Sequence, residues 1–288
     1  MNICIIGAGN IGTYLAAYIS MKHENKVWLH TSKPEAFNDT IALIEEEKNI
    51  THHITLHCIT SSYEEAVSNA DYILITYPSF MMEKTIESIL PYLKKGAVVG
   101  AIPGFGGKEY LIDKLLDKGC IFFGTQRVPS IIRLEKYGES VLLKQKNPFM
   151  KIRVIPGEYS EKVAKDMSNF IDIPCIPLNS YLAITLSPSN PTMHPSRLYE
   201  LFHDYVEGEH IYERNPYFYE EWGTLASTEL LKLDEELEAI FNAFNENGDF
   251  DPRDIEKIKS RYNINTAEEL SEKINTAPGF IGIDSPMV

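Results

Sequence analysis

Near the start of the chain, three glycines have the spacing of a dinucleotide-binding loop. The Gly-x-Gly-x-x-Gly pattern comes directly after an apolar run, Ile3–Ile6, and opens an amphipathic segment over Ile11–Met21. A buried strand followed by such a turn and a helix lets backbone N–H groups at the helix start hold a pyrophosphate. A strand-to-helix turn without a ligand is the alternative. The pattern favours a nicotinamide dinucleotide, and the expected contacts are Gly7, Gly9, Asn10, Ile11 and Gly12.

The residues at the end of the second predicted strand help to distinguish NAD from NADP as the cofactor. An Asp or Glu at this point would bind the 2′-hydroxyl of the NAD ribose. Here the strand ends Leu29-His30-Thr31-Ser32-Lys33, without a carboxylate. Hydroxyls and an ammonium suit the 2′-phosphate of NADP better, so Thr31, Ser32 and Lys33 are expected cofactor contacts. An ordinary polar loop is the alternative, and NAD remains open.

Two further strand ends are expected to face the cofactor, because ligands bind outside the carboxyl ends of parallel strands. The first is Thr76-Tyr77-Pro78, and all three residues are expected cofactor contacts. The second is the glycine cluster Pro103–Gly107. Its backbone must pass close either to the nicotinamide ribose or to a neighbouring helix.

The polar segment Leu186–Arg197 contains a histidine between closely spaced prolines. We expect a rigid, non-helical connector here, at the boundary between two domains, where ligand sites are common. The imidazole of His194 is suited to proton transfer, and the guanidinium of Arg197 to binding a carboxylate. His194 is therefore the candidate catalytic residue, with Asn190 and Arg197 as substrate contacts. A structural histidine in a linker is the alternative.

The elements that must position these residues fall into two halves. Apolar runs alternate with helical patterns up to Leu178, which predicts a doubly wound parallel Rossmann sheet, that is, an α/β domain over residues 1–178. The predicted strands are Ile3–Ile6, Val27–His30, Ile54–Ile59, Tyr72–Thr76, Ala97–Ile102 and Cys120–Phe123, with a hairpin of Val141–Lys144 and Ile152–Ile155. Residues 179–288 are predicted to be all-helical, with helices over Leu225–Asn245, Pro252–Tyr262 and Ala267–Ile274.

Composition excludes several classes of partner. The 288 residues carry a formal charge of −14, which disfavours nucleic acid and anionic membranes. The four cysteines, Cys4, Cys58, Cys120 and Cys175, have no metal-ligand spacing, so no metal site is expected. No signal peptide or membrane span is recognisable, which predicts a soluble, cytoplasmic protein with small-molecule substrates. The oligomeric state is left open, a homodimer included.

The segment Asn190-Pro191-Thr192-Met193-His194-Pro195, between a Rossmann domain and a helical half, resembles the octopine/nopaline (opine) dehydrogenase family. Leu233–Ile240 is similar to the long helix of that family. The resemblance covers essentially the whole chain. It implies NAD(P)H-dependent reductive condensation of a 2-oxo acid with an amino acid through an imine. It also implies that His194 is the acid/base.

The resemblance also predicts a departure from the family. The family histidine is paired with an aspartate in a C-terminal Arg-Tyr…Glu-Asp-x-Pro stretch. This chain ends Gly279–Val288, which resembles the segment just before that stretch, so the chain looks truncated. An imidazole without its carboxylate partner loses control of tautomer and orientation, so we expect cofactor binding with weak or no turnover.

Two other functions fit the sequence. The first is a 2-oxo acid reductase of the ketopantoate reductase type, which would need a catalytic lysine in the helical half; Lys232, Lys257 and Lys259 are available without a supporting motif. The second is a non-catalytic NADP-binding relative. A requirement for an amino acid beside the oxo acid distinguishes the opine reaction from both.

Overall fold

In the computed structural model, residues 1–209, 212–245, 251 and 254–286 are described. The chain divides into two compact units, residues 1–185 and residues 186–288. The division falls after Thr185, a few residues beyond the boundary predicted at Leu178. The additional residues form a short helix, α6 (Leu182–Thr185), which belongs to the first unit.

The first unit contains a largely parallel sheet of eight strands within the described residues. In spatial order the strands are β12 (Cys175–Pro177), β11 (Met150–Ile155), β8 (Ile121–Thr125), β7 (Val98–Ala101), β6 (Tyr72–Ile75), β1 (Asn2–Ile6), β2 (Lys26–His30) and β5 (Cys58–Thr60). Strands β8 to β5 are parallel to one another, and β11 is antiparallel to β8. The strand order reverses at β1, which confirms the predicted doubly wound Rossmann sheet.

The helices of this unit follow the strands in sequence. They are α1 (Asn10–Ser20), α2 (Tyr63–Val67), α3 (Met82–Ile89), α4 (Asp113–Asp117) and α5 (Ser160–Ile171). Because parallel crossovers are right-handed, the reversal at β1 places the crossover helices of the two halves on opposite faces of the sheet.

A second sheet was not predicted, and it contradicts the predicted hairpin. Its four strands are β4 (Ile50–Ile54), β3 (Ile41–Glu45), β10 (Ser140–Lys146) and β9 (Ser130–Lys136), in that order. β10 therefore pairs with β3 and β9, whereas β11 lies in the other sheet between β8 and β12. The predicted strand Ile54–Ile59 is also wrong, because Ile54 ends β4 and Cys58 begins β5. Neighbouring apolar runs do not specify their partners, since strand pairing depends on contacts distant in sequence.

Helix α1 is enclosed by the core. Every residue from Gly12 to Ile19 is buried, and the helix contacts β1 and β2 as well as β3, β9 and β10 of the second sheet. One apolar cluster accordingly includes Ile5 of β1, Leu15 of α1 and Val141 of β10. Burial on all sides fixes the start of α1 relative to the strand ends.

The second unit is built from helices, as predicted. They are α7 (Asn190–Phe202), α8 (Thr224–Phe244), α9 (Ile258–Tyr262) and α10 (Ala267–Asn275). Helix α9 covers only the end of the predicted Pro252–Tyr262, of which residues 252–253 lie outside the described part. Among the described residues of this unit the only β-type pairing is an isolated bridge between Tyr217 and Asp284. Its core contains Met193, Phe218, Trp222, Leu230 and Leu270.

The predicted non-helical connector is wrong in its second half, because α7 begins at Asn190 and continues through Pro195. Pro191 lies in the first turn, where backbone N–H groups have no partner within the helix, so a proline is tolerated there. Pro195 lies in the second turn, where its missing N–H removes the hydrogen bond to the Pro191 carbonyl oxygen, and the helix continues past it. The prolines are thus compatible with a helix that starts at this point.

Candidate functional site

Two positions of the glycine loop, Gly7 and Gly12, have no room for a side chain. Gly7 has φ +106°, and a Cβ there would lie 2.6 Å from Thr76 Oγ1. A Cβ on Gly12 would overlap the carbonyl oxygen of Gly7 and lie 2.8 Å from its carbon. A Cβ on Gly9 would meet nothing within 4 Å, because this residue faces open space. Gly7 and Gly12 therefore shape the loop, and Gly9 keeps its outer side clear.

The N-terminus of α1 is open toward the same space. Gly9 is the N-cap residue, with no side-chain cap and no acidic residue in the first turn. The first-turn N–H groups and the positive end of the helix dipole are thus available to an anion. The side chain of Asn10 is occupied, because its Oδ1 accepts a hydrogen bond from the Leu134 N–H at 2.6 Å. Asn10 and Ile11 can therefore hold a phosphate through the backbone.

At the end of β2, the three predicted cofactor residues differ. Thr31 is buried, and its hydroxyl pairs with the Tyr137 hydroxyl at 2.9 Å. Its side chain faces the protein, so the role predicted for Thr31 as a phosphate ligand does not fit. Ser32 and Lys33 are exposed, as a phosphate contact requires.

A cavity of about 750 Å³ opens beside this strand end. Its lining residues come from the ends of β2, β5 and β6, from the start of α2, and from α3 with the turn before it: His30, Ser32, Ser61, Tyr63, Tyr77, Phe80, Met81, Lys84, Thr85 and Ser88. Its volume is in the range of small-molecule sites. The ring of His30 stacks on Tyr63 at 3.9 Å between centroids, and burial lowers the pKa of His30.

Of the ten lining residues, only Ser32 and Tyr77 were predicted from the sequence. Among those that were not, Lys84 supplies an ammonium, and Phe80 presents an aromatic ring that is 84% exposed. Both residues lie in the Ser79–Ile89 segment that follows β6. They could not be predicted because a single sequence does not show which face of a helix lies against the end of a neighbouring strand. An exposed phenylalanine is the kind of signal that only a structure supplies.

The end of β6 closes the glycine loop. The Thr76 hydroxyl donates to the carbonyl oxygens of Ile6 and Gly7, at 3.1 and 3.3 Å. The Tyr77 ring lies against Gly7, and burial raises the pKa of Tyr77 to about 12. Of the three predicted residues, Thr76 therefore hydrogen-bonds to the glycine loop and does not face a ligand. Tyr77 lines the cavity, and Pro78 is exposed to solvent.

Within the Pro103–Gly107 cluster, the close approach involves a neighbouring strand. A Cβ on Gly104 would lie 2.6 Å from the Cα of Gly124 in β8, and the Gly104 carbonyl accepts from the Tyr181 hydroxyl at 2.8 Å. Neither alternative raised from the sequence describes this contact. The next side chain, Lys108, is buried and donates to the carbonyl oxygens of Pro103 and Tyr77.

In the second unit, His194 has a defined partner. Its Nε2 lies 3.0 Å from the Tyr219 hydroxyl, and its ring meets the edge of Phe218 at 5.2 Å between centroids. Tyr219 is itself held by stacking on Phe280 at 4.2 Å. Burial lowers the pKa of His194, which favours the neutral imidazole. Tyr219 was missed because the two residues are distant in sequence.

Arg197 occupies an internal position instead of the predicted substrate site. Its side chain is 3% exposed, with Nη1 at 2.5 Å from Glu200 Oε2 and Nη2 donating to the Tyr217 carbonyl at 3.2 Å. The Glu200 carboxylate also accepts from the N–H groups of Gly223 and Ala226, which begin α8. Arg197 and Glu200 therefore join α7 to α8. Asn190, by contrast, is exposed at the start of α7.

Within the described residues, no cluster of His, Cys, Asp or Glu could hold a metal ion. None of the helices in the same residues combines the length and hydropathy needed to cross a bilayer. The four cysteines are free thiols, and burial raises the pKa of each.

A Rossmann unit with an open glycine loop, joined to a helical unit with a half-buried histidine, is the architecture of two-domain dehydrogenases. Residues 177–288 match the family model described as NAD/NADP octopine/nopaline dehydrogenase, alpha-helical domain. Residues 3–139 match the model described as Ketopantoate reductase PanE/ApbA. The match of residues 177–288 confirms the resemblance to the opine dehydrogenases seen in the Asn190–Pro195 motif.

Individual relatives agree with these matches. A tauropine dehydrogenase from Arabella iricolor is 25% identical over 79% of this chain and 60% of its own length. A solved octopine dehydrogenase structure with NADH and L-arginine superposes with a TM-score of 0.83 at 20% identity, covering 99% of this chain and 76% of that one. A 2-dehydropantoate 2-reductase from Porphyromonas gingivalis W83 superposes with a TM-score of 0.60 at 16% identity, covering 88% and 85%.

The curated relatives extend beyond the aligned part. The alignments cover 38%, 60% and 25% of the length of three of them, the tauropine dehydrogenase included. At the low identities of the solved structures, the structural likeness establishes the fold alone.

Proposed function

We propose that this protein is an NAD(P)H-dependent opine-type dehydrogenase, which reductively condenses a 2-oxo acid with the amino group of an amino acid. The observation that carries the proposal is the match of residues 177–288 to the octopine/nopaline dehydrogenase helical domain, which contains His194 in a hydrogen-bonded, half-buried setting. The open glycine loop of the first unit supplies the place for the cofactor. The names of the relatives are consistent with this reaction.

The first unit offers space for a dinucleotide at the start of α1 and in the cavity beside β2. The backbone of Asn10 and Ile11 would hold the pyrophosphate, since the outer side of Gly9 is clear of protein atoms. The adenosine half would occupy the cavity beside β2, with Ser32, Lys33 and Lys84 near the ribose 2′ position. Three polar groups without a carboxylate at this end favour NADP, and NAD remains the alternative.

The residues of the second unit supply the proton chemistry. Reduction of an imine adds hydride to carbon and a proton to nitrogen, and the bound nicotinamide would supply the hydride. His194 would exchange the proton through its ring, because imidazole can both donate and accept near neutral pH. The Tyr219 hydroxyl fixes the orientation of the ring through Nε2. With its pKa lowered, His194 is a ready base for the reverse, oxidative direction.

The substrates would be two small molecules that carry carboxylates. We also propose a cytoplasmic location, since the four cysteines are unpaired. A homodimer is compatible with the proposal and is not required by it.

The test measures NADPH and NADH oxidation with pyruvate, alone and with each member of an amino-acid panel. Any turnover should require an oxo acid and an amino acid together. His194→Ala should lower kcat by about 10²–10⁴-fold, the usual contribution of a general acid/base. His203→Ala is the matched control, because His203 is exposed at the end of the same helix. Equal activity of the two variants would contradict the role of His194.

A second candidate is a ketopantoate-type reductase, favoured by the family match of residues 3–139. This match covers the cofactor unit alone. The three lysines considered for such a reaction, Lys232, Lys257 and Lys259, are each paired with a glutamate and partly exposed. Oxidation of NADPH with ketopantoate alone, at a rate that no amino acid increases, would favour this second function.

A further inference from the structure

Among the described residues, Lys108 is the only lysine that is buried. Its side chain is 2% exposed, in the turn Lys108–Leu111 that follows the glycine cluster. Burial lowers its pKa to about 8, with no charged neighbour contributing. A buried cation without a carboxylate is costly, so a fold keeps one where it has a task.

The contacts of Lys108 join two segments. Its Nζ donates to the Pro103 carbonyl oxygen at 2.7 Å and to the Tyr77 carbonyl oxygen at 3.4 Å. An ammonium has three N–H donors, so these two acceptors leave one donor over. Tyr77 follows β6, and Pro103 follows β7. Lys108 therefore ties together the loops at the carboxyl ends of two adjacent strands.

The position of these loops relates them to one half of the cofactor. The cavity that fits the adenosine half opens between the ends of β2 and β5, on one side of β1, and Tyr77 and α3, on the other. β6 and β7 lie on the other side of β1, across the point where the strand order reverses. A dinucleotide bound across this point extends its nicotinamide half over β6 and β7.

We propose that Lys108 is a positioning residue for the nicotinamide half of the cofactor: by holding the Tyr77 and Pro103 carbonyls, it fixes the two loops over which that half lies. The inference rests on the proposed dinucleotide binding. The glycine loop and the β2 cavity act on the phosphates and the adenosine half. Lys108 acts chiefly through Pro103, which is its closer acceptor and does not line that cavity, and it also holds the backbone carbonyl of Tyr77.

The test compares two ligands that differ only in the nicotinamide half. NADPH and adenosine 2′,5′-bisphosphate are titrated calorimetrically into the wild-type chain and into Lys108→Met, which keeps the length and removes the donors. We expect the Kd for NADPH to rise about tenfold, as for the loss of one charge-assisted hydrogen bond. The Kd for the bisphosphate should stay within about twofold. Lys114→Met, at an exposed lysine paired with Glu87, is the matched control and should leave both values unchanged.

The outcomes separate the inference from the proposed function. A wild-type chain that binds neither ligand would refute the cofactor site itself, and the role of Lys108 with it. A wild-type chain that binds both, with K108M weakened equally for both or for neither, would refute only the role of Lys108.

A second variant keeps the inference testable if K108M does not fold. Lys108→Gln keeps two N–H donors on a shorter side chain, and we expect its NADPH affinity to lie between those of wild type and K108M. If neither variant folds, Lys108 serves core stability alone, and the inference is wrong.

Discussion

Alanine at Gly9 and alanine at Gly12 should have opposite consequences, although the two glycines lie three residues apart in one loop. The new Cβ at Gly9 would meet no protein atom within 4 Å, and φ −81° with ψ −166° is a conformation that alanine adopts freely. The new Cβ at Gly12 would overlap the backbone oxygen of Gly7 and lie 2.9 Å from Thr76 Oγ1. We expect G9A to fold and lose the cofactor, and G12A to lose stability.

The magnitudes follow from these contacts. G9A should change the free energy of unfolding by about 1 kcal/mol or less, because alanine is a poorer N-cap than glycine but is less flexible when unfolded. Its Cβ occupies the space of the pyrophosphate, so the Kd for NADPH should rise on the order of a hundredfold, ~2.7 kcal/mol. G12A must displace the backbone, which costs about 3 kcal/mol. For a unit of this size, that lowers Tm by roughly 6–12 °C.

The assay is thermal unfolding of wild type, G9A and G12A, without NADPH and with a saturating concentration of it. Wild type should gain stability with NADPH, whereas G9A should start from a nearly normal Tm and gain little. Wild-type affinity in G9A would refute the assignment of the open side of the loop to the phosphates. An equal loss of Tm in both variants would refute the contact geometry.

Four further predictions concern single residues. Glu200→Ala should lower the free energy of unfolding by about 3–5 kcal/mol in urea denaturation, because it leaves Arg197 buried without its partner and uncaps α8; a loss below ~1 kcal/mol would contradict this role. The pKa of Lys108 is about 8 in the folded chain, against an ordinary value of 10.5. Between pH 8 and pH 10.5 the unfolded chain therefore binds one more proton at this lysine than the folded chain does. Wild-type stability should therefore gain about 3 kcal/mol from this group as pH rises from 8 to 10.5, a gain that K108M should lack. In the oxidative direction, kcat/KM should rise as pH increases through the lowered pKa of His194, below 6.5, and H194A should lose this limb. Lys33→Glu should raise the Kd for NADPH at least about tenfold while affecting NADH less, and equal effects on both would argue against a 2′-phosphate contact.

Features that depend on neighbouring residues could be predicted from the sequence. The Gly7–Gly12 pattern after an apolar run predicted the strand, the turn and the start of α1, because each glycine answers a local backbone requirement. The spacing of apolar residues over Leu225–Asn245 predicted α8 almost residue for residue. Ser32 and Lys33 could be placed at a strand end because the carboxyl ends of parallel strands share one edge of the sheet.

Features that depend on distant partners were decided by the tertiary structure. β10 and β11 are neighbours in sequence, yet they lie in different sheets, because each finds its partners elsewhere in the chain. Arg197 has the charge of a carboxylate ligand, but packing against Glu200 turns it inward. Tyr219 reaches His194 across 25 residues, and Lys108 is buried beneath two strand ends. Residue type and local spacing set the elements and the chemistry available, whereas burial and partner choice follow from long-range packing, which one sequence does not encode locally.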